Sequence, residues 1–496
     1  MRLPVLFILV TVTLDAMGIG LIMPIMPDLI QEVRGGGLSN AAVWGGVLAT
    51  VFAVMQFGFG PLVGSLSDRY GRRPVLLISL FFMALDYLVM ALAGSIWLLR
   101  AGRVVGGITA ATHGTAAAYM ADISTPHEKA ANFGLIGAGF APVEGPELQR
   151  ARKWVGEAQR PLVIAGLDAL NDGASEALGE FVRAVGAPLV TTYKAKGILD
   201  EDHPSVLGGA GLSPLADRHI MPLIEASDCI VLAGYDPIEM RVGWRDPWPD
   251  DARVIDITPV VRTHGMHSVQ ATLYGSVGAT LLDLCDELAT HPTWPRGGPT
   301  ATRKALREAF APEPEGWGPA AAFHALREAL PPETVASADS GAHRILLSQV
   351  WRCPGPRRLI QSTALCTMGC SVALAAGHKH AAPEIPVVAF VGDAGLEMTL
   401  GDLATLRDLR LAVPVVVLID ESLALIEMKQ RGVQLQNVGV DFPGTDFVAL
   451  AAAMGGHGVW IDDTETLARE ARAALDRPTF TLLCVRIGRR AYDGKF

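Results

Sequence analysis

The sequence predicts a mixed fold class: a truncated α-helical membrane bundle, with four spans and a partial fifth helix, followed by two doubly wound α/β domains with parallel sheets. Two observations predict it. The first 140 residues contain four apolar runs, each near the roughly 20 residues that cross a bilayer. From about Glu147, short β-rich runs alternate with amphipathic helical stretches, which is typical of parallel α/β domains.

Length and composition agree with two unlike parts. A chain of 496 residues is long enough for two or three domains, and 50% hydrophobic residues with a net charge of −10 suit an apolar part joined to an acidic one. The acidic balance disfavours nucleic acid as a partner. Six cysteines, none before Cys229, show neither paired metal spacing nor a dense disulfide pattern, which indicates reduced cytoplasmic thiols.

The predicted spans are roughly residues 3–26, 43–63, 75–93 and 96–120. The first is not a signal peptide, because it lacks a small-residue cleavage site and three more spans follow it. The loop after the second span carries three arginines, so both ends of the block are expected on the cytoplasmic side. We therefore expect a multi-pass protein of the inner membrane whose C-terminal domains lie in the cytoplasm.

Ionisable side chains occur inside these apolar runs. Asp15, Asp86 and Arg103 are candidates for function, because a charge in the bilayer is costly. An alternative is that Asp86 and Arg103 only neutralise each other. Asp68 and Arg72 lie in the loop of residues 64–74, where glycines favour tight turns.

The stretches LDAMGIGLIMPIMPDL (residues 14–29), GSLSDRYGRRPVLL (64–77) and LDYL (85–88) resemble the tetracycline/proton antiporters of the major facilitator superfamily. The resemblance extends to about residue 140 and implies a lipid bilayer as partner. It also implies functional positions, which are Asp15, Asp68, Arg72, Asp86 and Arg103. That family's fold has twelve spans in two halves, with the substrate between them.

The fifth helix of this block is predicted to be short. Thr125 and Glu128 form a capping box at its start, and Pro142 ends it after about 14 residues, too few to cross a core of roughly 30 Å. Without a second half, the chain alone is expected to transport no tetracycline.

The α/β part is predicted as two domains, one over residues 141–290 and one over residues 319–496, with a Pro- and Gly-rich linker at 291–318. Predicted strands of the first are residues 161–166, 188–192, 229–234 and 253–257; those of the second are 335–339, 387–393, 413–420 and 480–485.

Two carboxylates follow buried strands of the second domain. Asp393 and Asp420 each come at the carboxyl end of a strand, where α/β folds bind ligands. Oxygen ligands there suit a hard cation such as Mg²⁺, which would hold a diphosphate. The alternative for Asp393 is a simple helix cap.

Four motifs occur in order: DSGAHR (Asp339 to Arg344), STALCTMGCSVALAAG (362–377), GDAGLEMTLGDLATL (392–406) and LIDESLALI (418–426). They resemble the diphosphate-binding domain of thiamine-diphosphate enzymes of the acetolactate synthase group. The preceding domain is similar to that group's central domain, and GYDPIEM (234–240) looks closest to catabolic members that work without FAD. The resemblance implies thiamine diphosphate and Mg²⁺ as cofactors, and FAD is not expected.

The same resemblance assigns site residues. It implies metal ligands at Asp393, Asp420 and the Ser422 carbonyl, and Met368 as the wedge that bends the cofactor. Cofactor-binding positions are His343, Thr367, Met368, Gly369, Gly392, Asp393 and Ala394. The alternative for His343 is a surface or capping residue. Leu423 and Ala424 depart from the usual aromatic residue and glycine, which leaves the substrate class open.

The group's pyrimidine-binding domain and its activating glutamate have no counterpart in the sequence, so the catalytic residues are unknown. We expect a membrane-tethered cofactor-binding protein, with a homo-oligomer as one possible assembly. By the same resemblance, an intact enzyme of this group decarboxylates a 2-oxo acid such as pyruvate and transfers the two-carbon fragment to an acceptor. This chain alone is expected to be impaired. The alternatives are a tetracycline-efflux-like transporter fragment and a recombinant fusion without a selected function.

Overall fold

The computed structural model divides the chain into two compact units, unit 1 over residues 1–138 and unit 2 over residues 139–496. The predicted fifth helix, with Thr125 and Glu128, and Asp15 lie outside the residues that it describes. The described residues are 7–8, 10–11, 29–30, 38–91, 93, 95–109, 115, 118–119, 122–123, 145–262, 264–286, 288, 291–363 and 365–496.

Unit 1 has three described helices of eight residues or more: α1 (Leu38–Tyr70), α2 (Arg72–Ala91) and α3 (Ile96–Thr109). The stretch at 64–74, which was predicted as a loop, is helical except at Gly71, so the loop is shorter than predicted. Only Gly71, with φ at 96°, separates α1 from α2, because a left-handed residue is enough to end one helix and begin the next.

One described helix segment, Arg72–Met90, is long and apolar enough to cross a membrane. Trp44–Phe59 and Leu62–Tyr70 meet the same criteria together, with a bend of 46° between them. Pro61 lies at this bend, and proline removes a helical hydrogen bond. The description of α3 ends at Thr109, so the count of four spans stays a prediction.

The central domain of unit 2 contains a six-stranded parallel sheet in the order β3-β2-β1-β4-β5-β6. Its strands are β1 (Pro161–Ala165), β2 (Leu189–Thr192), β3 (Val206–Ala210), β4 (Cys229–Ala233), β5 (Arg253–Thr258) and β6 (Ala271–Tyr274). The sequence predicted four of these and missed β3 and β6. β3 contains two glycines, which weaken the strand pattern.

The C-terminal domain has a second six-stranded parallel sheet, in the order β11-β12-β10-β9-β7-β8. Its strands are β7 (Val335–Ala338), β8 (Leu359–Gln361), β9 (Val387–Gly392), β10 (Pro414–Ile419), β11 (His457–Ile461) and β12 (Thr481–Arg486). β9 and β10 are neighbours, and both are almost fully buried, as expected for central strands of a parallel sheet.

Helices cover both sheets. They are α4 (Pro146–Glu157), α5 (Leu167–Asn171), α6 (Ser175–Val185), α7 (Pro214–Glu225), α8 (Val277–Cys285), α9 (Gly298–Ala309), α10 (Pro319–Ala329), α11 (Ala342–Val350), α12 (Cys370–Ala381), α13 (Asp393–Glu397), α14 (Gly401–Asp408), α15 (Ala424–Gly432), α16 (Phe447–Ala453) and α17 (Thr464–Ala474). The predicted linker at 291–318 thus contains α9, whose Leu306 is buried in the core of unit 2.

One hydrophobic core joins the two α/β domains. It contains Trp244 of the central domain together with Trp351 and Phe390 of the C-terminal domain. The Trp351 and Phe390 ring centroids lie 5.3 Å apart in an edge-on arrangement. Two further clusters fill the opposite faces of the two sheets. This shared core positions the carboxyl ends of β9 and β10, where the candidate site lies.

Candidate functional site

Two buried aspartates meet at the carboxyl ends of β9 and β10. Asp393 begins α13 directly after β9, and Asp420 follows β10. The Asp393 Oδ2 atom accepts hydrogen bonds from the backbone N–H of Asp420, at 3.2 Å, and of Glu421, at 2.8 Å. Parallel neighbouring strands therefore bring together two side chains that are 27 positions apart in the sequence.

The electrostatics of this pair favour a bound cation. Asp393 is 3% exposed and Asp420 is 6% exposed. Burial raises the pKa of Asp393, and burial together with the Asp393 charge raises the pKa of Asp420 to about 7. A cation between two such carboxylates would stabilise their charged forms.

Ser422 completes the predicted metal position. Its N–H donates to Asp420 Oδ1 over 3.3 Å, and its hydroxyl donates to Asp441 Oδ1 over 3.2 Å. No group of three or more His, Cys, Asp or Glu side chains suited to a metal occurs among the described residues. A metal held here would thus need backbone or water oxygens beside two carboxylates, which is an arrangement that Mg²⁺ accepts.

Asp339 organises the loop that precedes α12 and contains Thr367 and Met368. It is fully buried just after β7, and its carboxylate accepts hydrogen bonds from the N–H of Gly369, at 2.8 Å, and of Cys370, at 3.0 Å. Gly369 has a φ of 85°, so the turn needs a glycine. This contact fixes the loop that carries Thr367 and Met368. No role was predicted for Asp339 from the sequence, although its position directly after a strand was a signal.

A cavity of about 160 Å³ lies beside these groups. Of the predicted site residues, seven line it: His343, Met368, Gly392, Asp393, Ala394, Asp420 and Ser422. Thr367 is exposed and Gly369 is buried, and neither lines this cavity. Tyr492, which the sequence analysis did not select, also lines it.

His343 is a buried residue of the cavity wall and not a surface histidine. Burial lowers its pKa to about 4, so the imidazole is neutral at pH 7. Its Nε2 atom has no hydrogen-bond partner among the described residues. A Cβ atom placed on Gly392 would lie 3.5 Å from the His343 ring, which shows how closely the histidine approaches the end of β9.

The residues present fit a metal and a diphosphate. Two buried carboxylates with raised pKa values call for positive charge, and His343 has an unpartnered ring nitrogen at the same cavity. An anionic group bridged to the carboxylates by a divalent cation would satisfy both requirements.

Unit 1 brings four of its predicted residues into two ion pairs. Arg103 Nη2 lies 2.8 Å from Asp86 Oδ2, and both side chains are buried. Arg72 Nη1 lies 2.5 Å from Asp68 Oδ1, and Arg72 Nε lies 3.0 Å from Asp122 Oδ2. The Asp86–Arg103 contact is the mutual neutralisation that the sequence allowed as an alternative. Asp15 lies outside the described residues.

The class of each part follows from comparison with protein families. Residues 339–485 match the model of the C-terminal TPP-binding domain of thiamine pyrophosphate enzymes, and residues 148–284 match the model of their central domain. Residues 8–141 match the major facilitator superfamily. Two regions of unit 2 therefore match domains of thiamine pyrophosphate enzymes, and the four motifs lie in the second of these regions.

Individual relatives agree with this division. The chain is 28% identical over 369 residues to the acetolactate synthase large subunit of Parasynechococcus marenigrum, covering 72% of this chain and 59% of that protein. It is 25% identical over 359 residues to a thiamine pyrophosphate-containing protein of Bacillus subtilis, covering 69% of this chain and 59% of that protein. It is 49% identical over 141 residues to the class C tetracycline resistance protein of Escherichia coli, covering 28% of this chain and 35% of that protein.

The chain thus spans about a third of the tetracycline resistance protein and less than two thirds of the acetolactate synthase subunit. Both predicted resemblances are confirmed for their segments. Because the chain covers only part of each relative, the activities of the complete relatives are not assigned to this chain here.

Proposed function

We propose that this chain is a membrane-tethered protein that binds thiamine diphosphate and Mg²⁺. The observation that carries the proposal is the junction of Asp393 and Asp420, two buried residues beside the 160 Å³ cavity. The Asp393 carboxylate accepts hydrogen bonds from the backbone N–H groups of Asp420 and Glu421. Asp393, Asp420 and the Ser422 carbonyl would hold the metal. His343, Gly392 and Ala394 would lie beside the diphosphate, and Met368 would support the bent cofactor.

The cofactor, when bound, supplies an electron sink for decarboxylation of a 2-oxo acid. The chain's own residues hold and orient it: Asp339 fixes the loop of Met368, and Asp393 ties the ends of β9 and β10 together. We propose a substrate class of 2-oxo acids such as pyruvate, by relation to acetolactate synthase.

We also infer that catalysis needs a partner. The stretch directly before the central domain matches a transporter family, whereas the resemblance calls for an activating glutamate from a pyrimidine-binding domain. We propose that another polypeptide supplies this glutamate, so that the purified chain should consume pyruvate slowly or not at all.

Unit 1 is proposed as the tether to the inner membrane. Its helix Arg72–Met90 meets the length and hydropathy of a span, and large apolar side chains such as Phe57, Phe81 and Trp97 are exposed on its helices. The C-terminal domains would then lie in the cytoplasm, where the six free cysteines stay reduced.

The test is cofactor binding by the full chain in detergent. Calorimetric titration with thiamine diphosphate should show binding with Mg²⁺ and none with a chelator. Asp420→Ala should weaken binding by at least about tenfold, because it removes a metal ligand.

The control is Asp463→Ala, which removes the cap that accepts from the Thr466 N–H at the start of α17, away from the cavity. This variant should lose stability, by about 1 kcal/mol, and keep its affinity. Equal affinities of the wild-type protein and Asp420→Ala would contradict the assigned metal site.

A further inference from the structure

The segment of residues 487–496, which follows β12, places a tyrosine at the candidate site. Tyr492 is 2% exposed and lines the 160 Å³ cavity together with Asp393 and Asp420. It also lines a neighbouring cavity of about 340 Å³, which contains Ser422 and Asp441. Tyr492 therefore lines the same cavity as Asp393, Asp420 and Ser422, the residues that are proposed to hold the metal.

The Tyr492 hydroxyl is buried and has no hydrogen-bond partner among the described residues. Such groups are uncommon, because a buried hydroxyl without a partner loses its hydration and gains nothing in return. Tyr235 in the central domain shows the usual solution: it is also buried, and its hydroxyl donates to the Trp244 carbonyl over 2.7 Å. The Tyr492 hydroxyl differs in that no described residue accepts its hydrogen bond, so it is available to a ligand.

Ion pairs hold the segment in place on both sides of Tyr492. Arg489 pairs with Asp441, the residue that binds the Ser422 hydroxyl. Asp493 accepts from Arg431 at 2.6 Å, and Lys495 Nζ lies 3.2 Å from Glu313 Oε1. The tyrosine is thus held beside the cavity before any ligand arrives.

Some of the nearby carboxylate oxygens already accept hydrogen bonds from the protein backbone. Asp393 accepts backbone N–H groups with both oxygens, and Asp420 Oδ1 accepts the Ser422 N–H. A tyrosine has an ordinary pKa of about 10, so its hydroxyl is a hydrogen-bond donor at neutral pH. A protonated donor beside a metal site suits an anionic ligand.

We propose that the Tyr492 hydroxyl donates a hydrogen bond to a diphosphate oxygen of the cofactor and is a further binding residue of this site. The inference rests on the proposed function, because it requires that a diphosphate binds at Asp393 and Asp420. It adds a contribution from the C-terminal segment that none of the four sequence motifs contains.

The test is Tyr492→Phe in the full chain, measured in two ways. Calorimetric titration with thiamine diphosphate at a fixed Mg²⁺ concentration should show a dissociation constant about tenfold higher, the effect of losing one hydrogen bond to a charged group. Thermal unfolding of the cofactor-free protein should show an unchanged or higher midpoint, because the variant removes a hydroxyl that has no partner there.

Tyr235→Phe is the matched control, and it should behave in the opposite way. It loses the bond to the Trp244 carbonyl, so its midpoint should fall while its affinity for thiamine diphosphate stays unchanged. If Tyr492→Phe binds thiamine diphosphate with the same affinity as the wild-type protein, the inference is overturned and the proposed function stays in place. A wild-type protein that binds no thiamine diphosphate would overturn both.

Discussion

Gly395 in α13 leaves no room for a side chain, because the Asp339 carboxylate lies against it. A Cβ atom at Gly395 would clash with Asp339 Oδ2 and would lie 3.2 Å from Val391 Cγ2. Gly377 in α12 is the opposite case, since nothing lies within 4 Å of the Cβ position there. The two glycines therefore differ in whether their surroundings leave space for a side chain.

Gly395→Ala should lower the free energy of unfolding by about 1–3 kcal/mol, because Asp339 must move and the loop of Met368 moves with it. Gly377→Ala should be neutral or stabilise by up to about 1 kcal/mol, since alanine is the better helix former. Thermal unfolding of both variants in the cofactor-free chain measures the difference. A Gly395→Ala protein as stable as Gly377→Ala would contradict the packing of Asp339 against α13.

Single residues also show what could be predicted. Asp393 and Asp420 were identifiable, because each follows a buried strand and strand ends of a parallel sheet share one edge. Asp339 and Tyr492 were not given a role, since one acts on a turn 30 residues later and the other comes from the C-terminal segment. Their roles depend on contacts that no local pattern encodes.

At the scale of elements, Glu239 follows β4, and its carboxylate joins the ends of β1 and β2. The strand order of the central sheet reverses between β1 and β4. Its buried carboxylate accepts from the Leu167 N–H at 3.0 Å and from the Thr192 hydroxyl at 2.6 Å. Ligands of open α/β sheets commonly bind in this crevice. Here the Glu239 carboxylate lies near this point. The expectation that FAD is not used stays a prediction.

Glu239 gives this junction a pH dependence. Burial raises its pKa above the ordinary value of 4.5, and the bonds from Thr192 and Leu167 offset this only in part. Its contribution to stability is therefore present below pH 4.5 and is lost as the pH rises through the folded-state pKa. Relative to the wild-type protein, Glu239→Gln should gain free energy of unfolding as the pH increases towards neutrality.

Glu470→Gln is a control of opposite sign. A hydrogen bond from Arg477 lowers the pKa of Glu470, so that its stabilisation is present above the ordinary pKa and is lost as the pH falls through the folded-state value. This variant should lose stability relative to the wild-type protein as the pH rises. Unfolding curves across the acid range measure both, and parallel curves for Glu239→Gln and wild type would contradict the assignment.

The element boundaries show where local patterns are insufficient. Long apolar strands such as β9 and β10 were predicted, whereas the three-residue β8 and the half-exposed β11 were missed. In unit 1, the Gly- and Arg-rich stretch at 64–74 reads as a loop, yet α1 continues through Tyr70. The physical reason is that one left-handed glycine is enough to separate two helices.

At the scale of the whole molecule, the two units have separate roles in the proposal. Unit 2 has its own hydrophobic core, and the candidate cofactor site lies wholly within it. Unit 1 contains the described helix that is suited to a bilayer. Tethering and cofactor binding should therefore be separable.

Deleting residues 1–138 should release the chain from membranes and leave its affinity for thiamine diphosphate little changed. Membrane flotation and calorimetric titration measure the two properties. Asp420→Ala in the full chain is the reciprocal control, with membrane association kept and affinity lost. Membrane association of the shortened chain would place the tether outside unit 1.

The sequence by itself determined the fold class of each part and the positions of the two strand-end carboxylates. Both depend on hydrophobic periodicity and on the residues at strand ends, which are local properties of a chain. Only the tertiary structure decided which groups meet: the turn fixed by Asp339, the Asp86–Arg103 pair, and Tyr492 beside the cavity. These contacts join residues distant in the chain, and their geometry arises from packing into shared cores that no local pattern specifies.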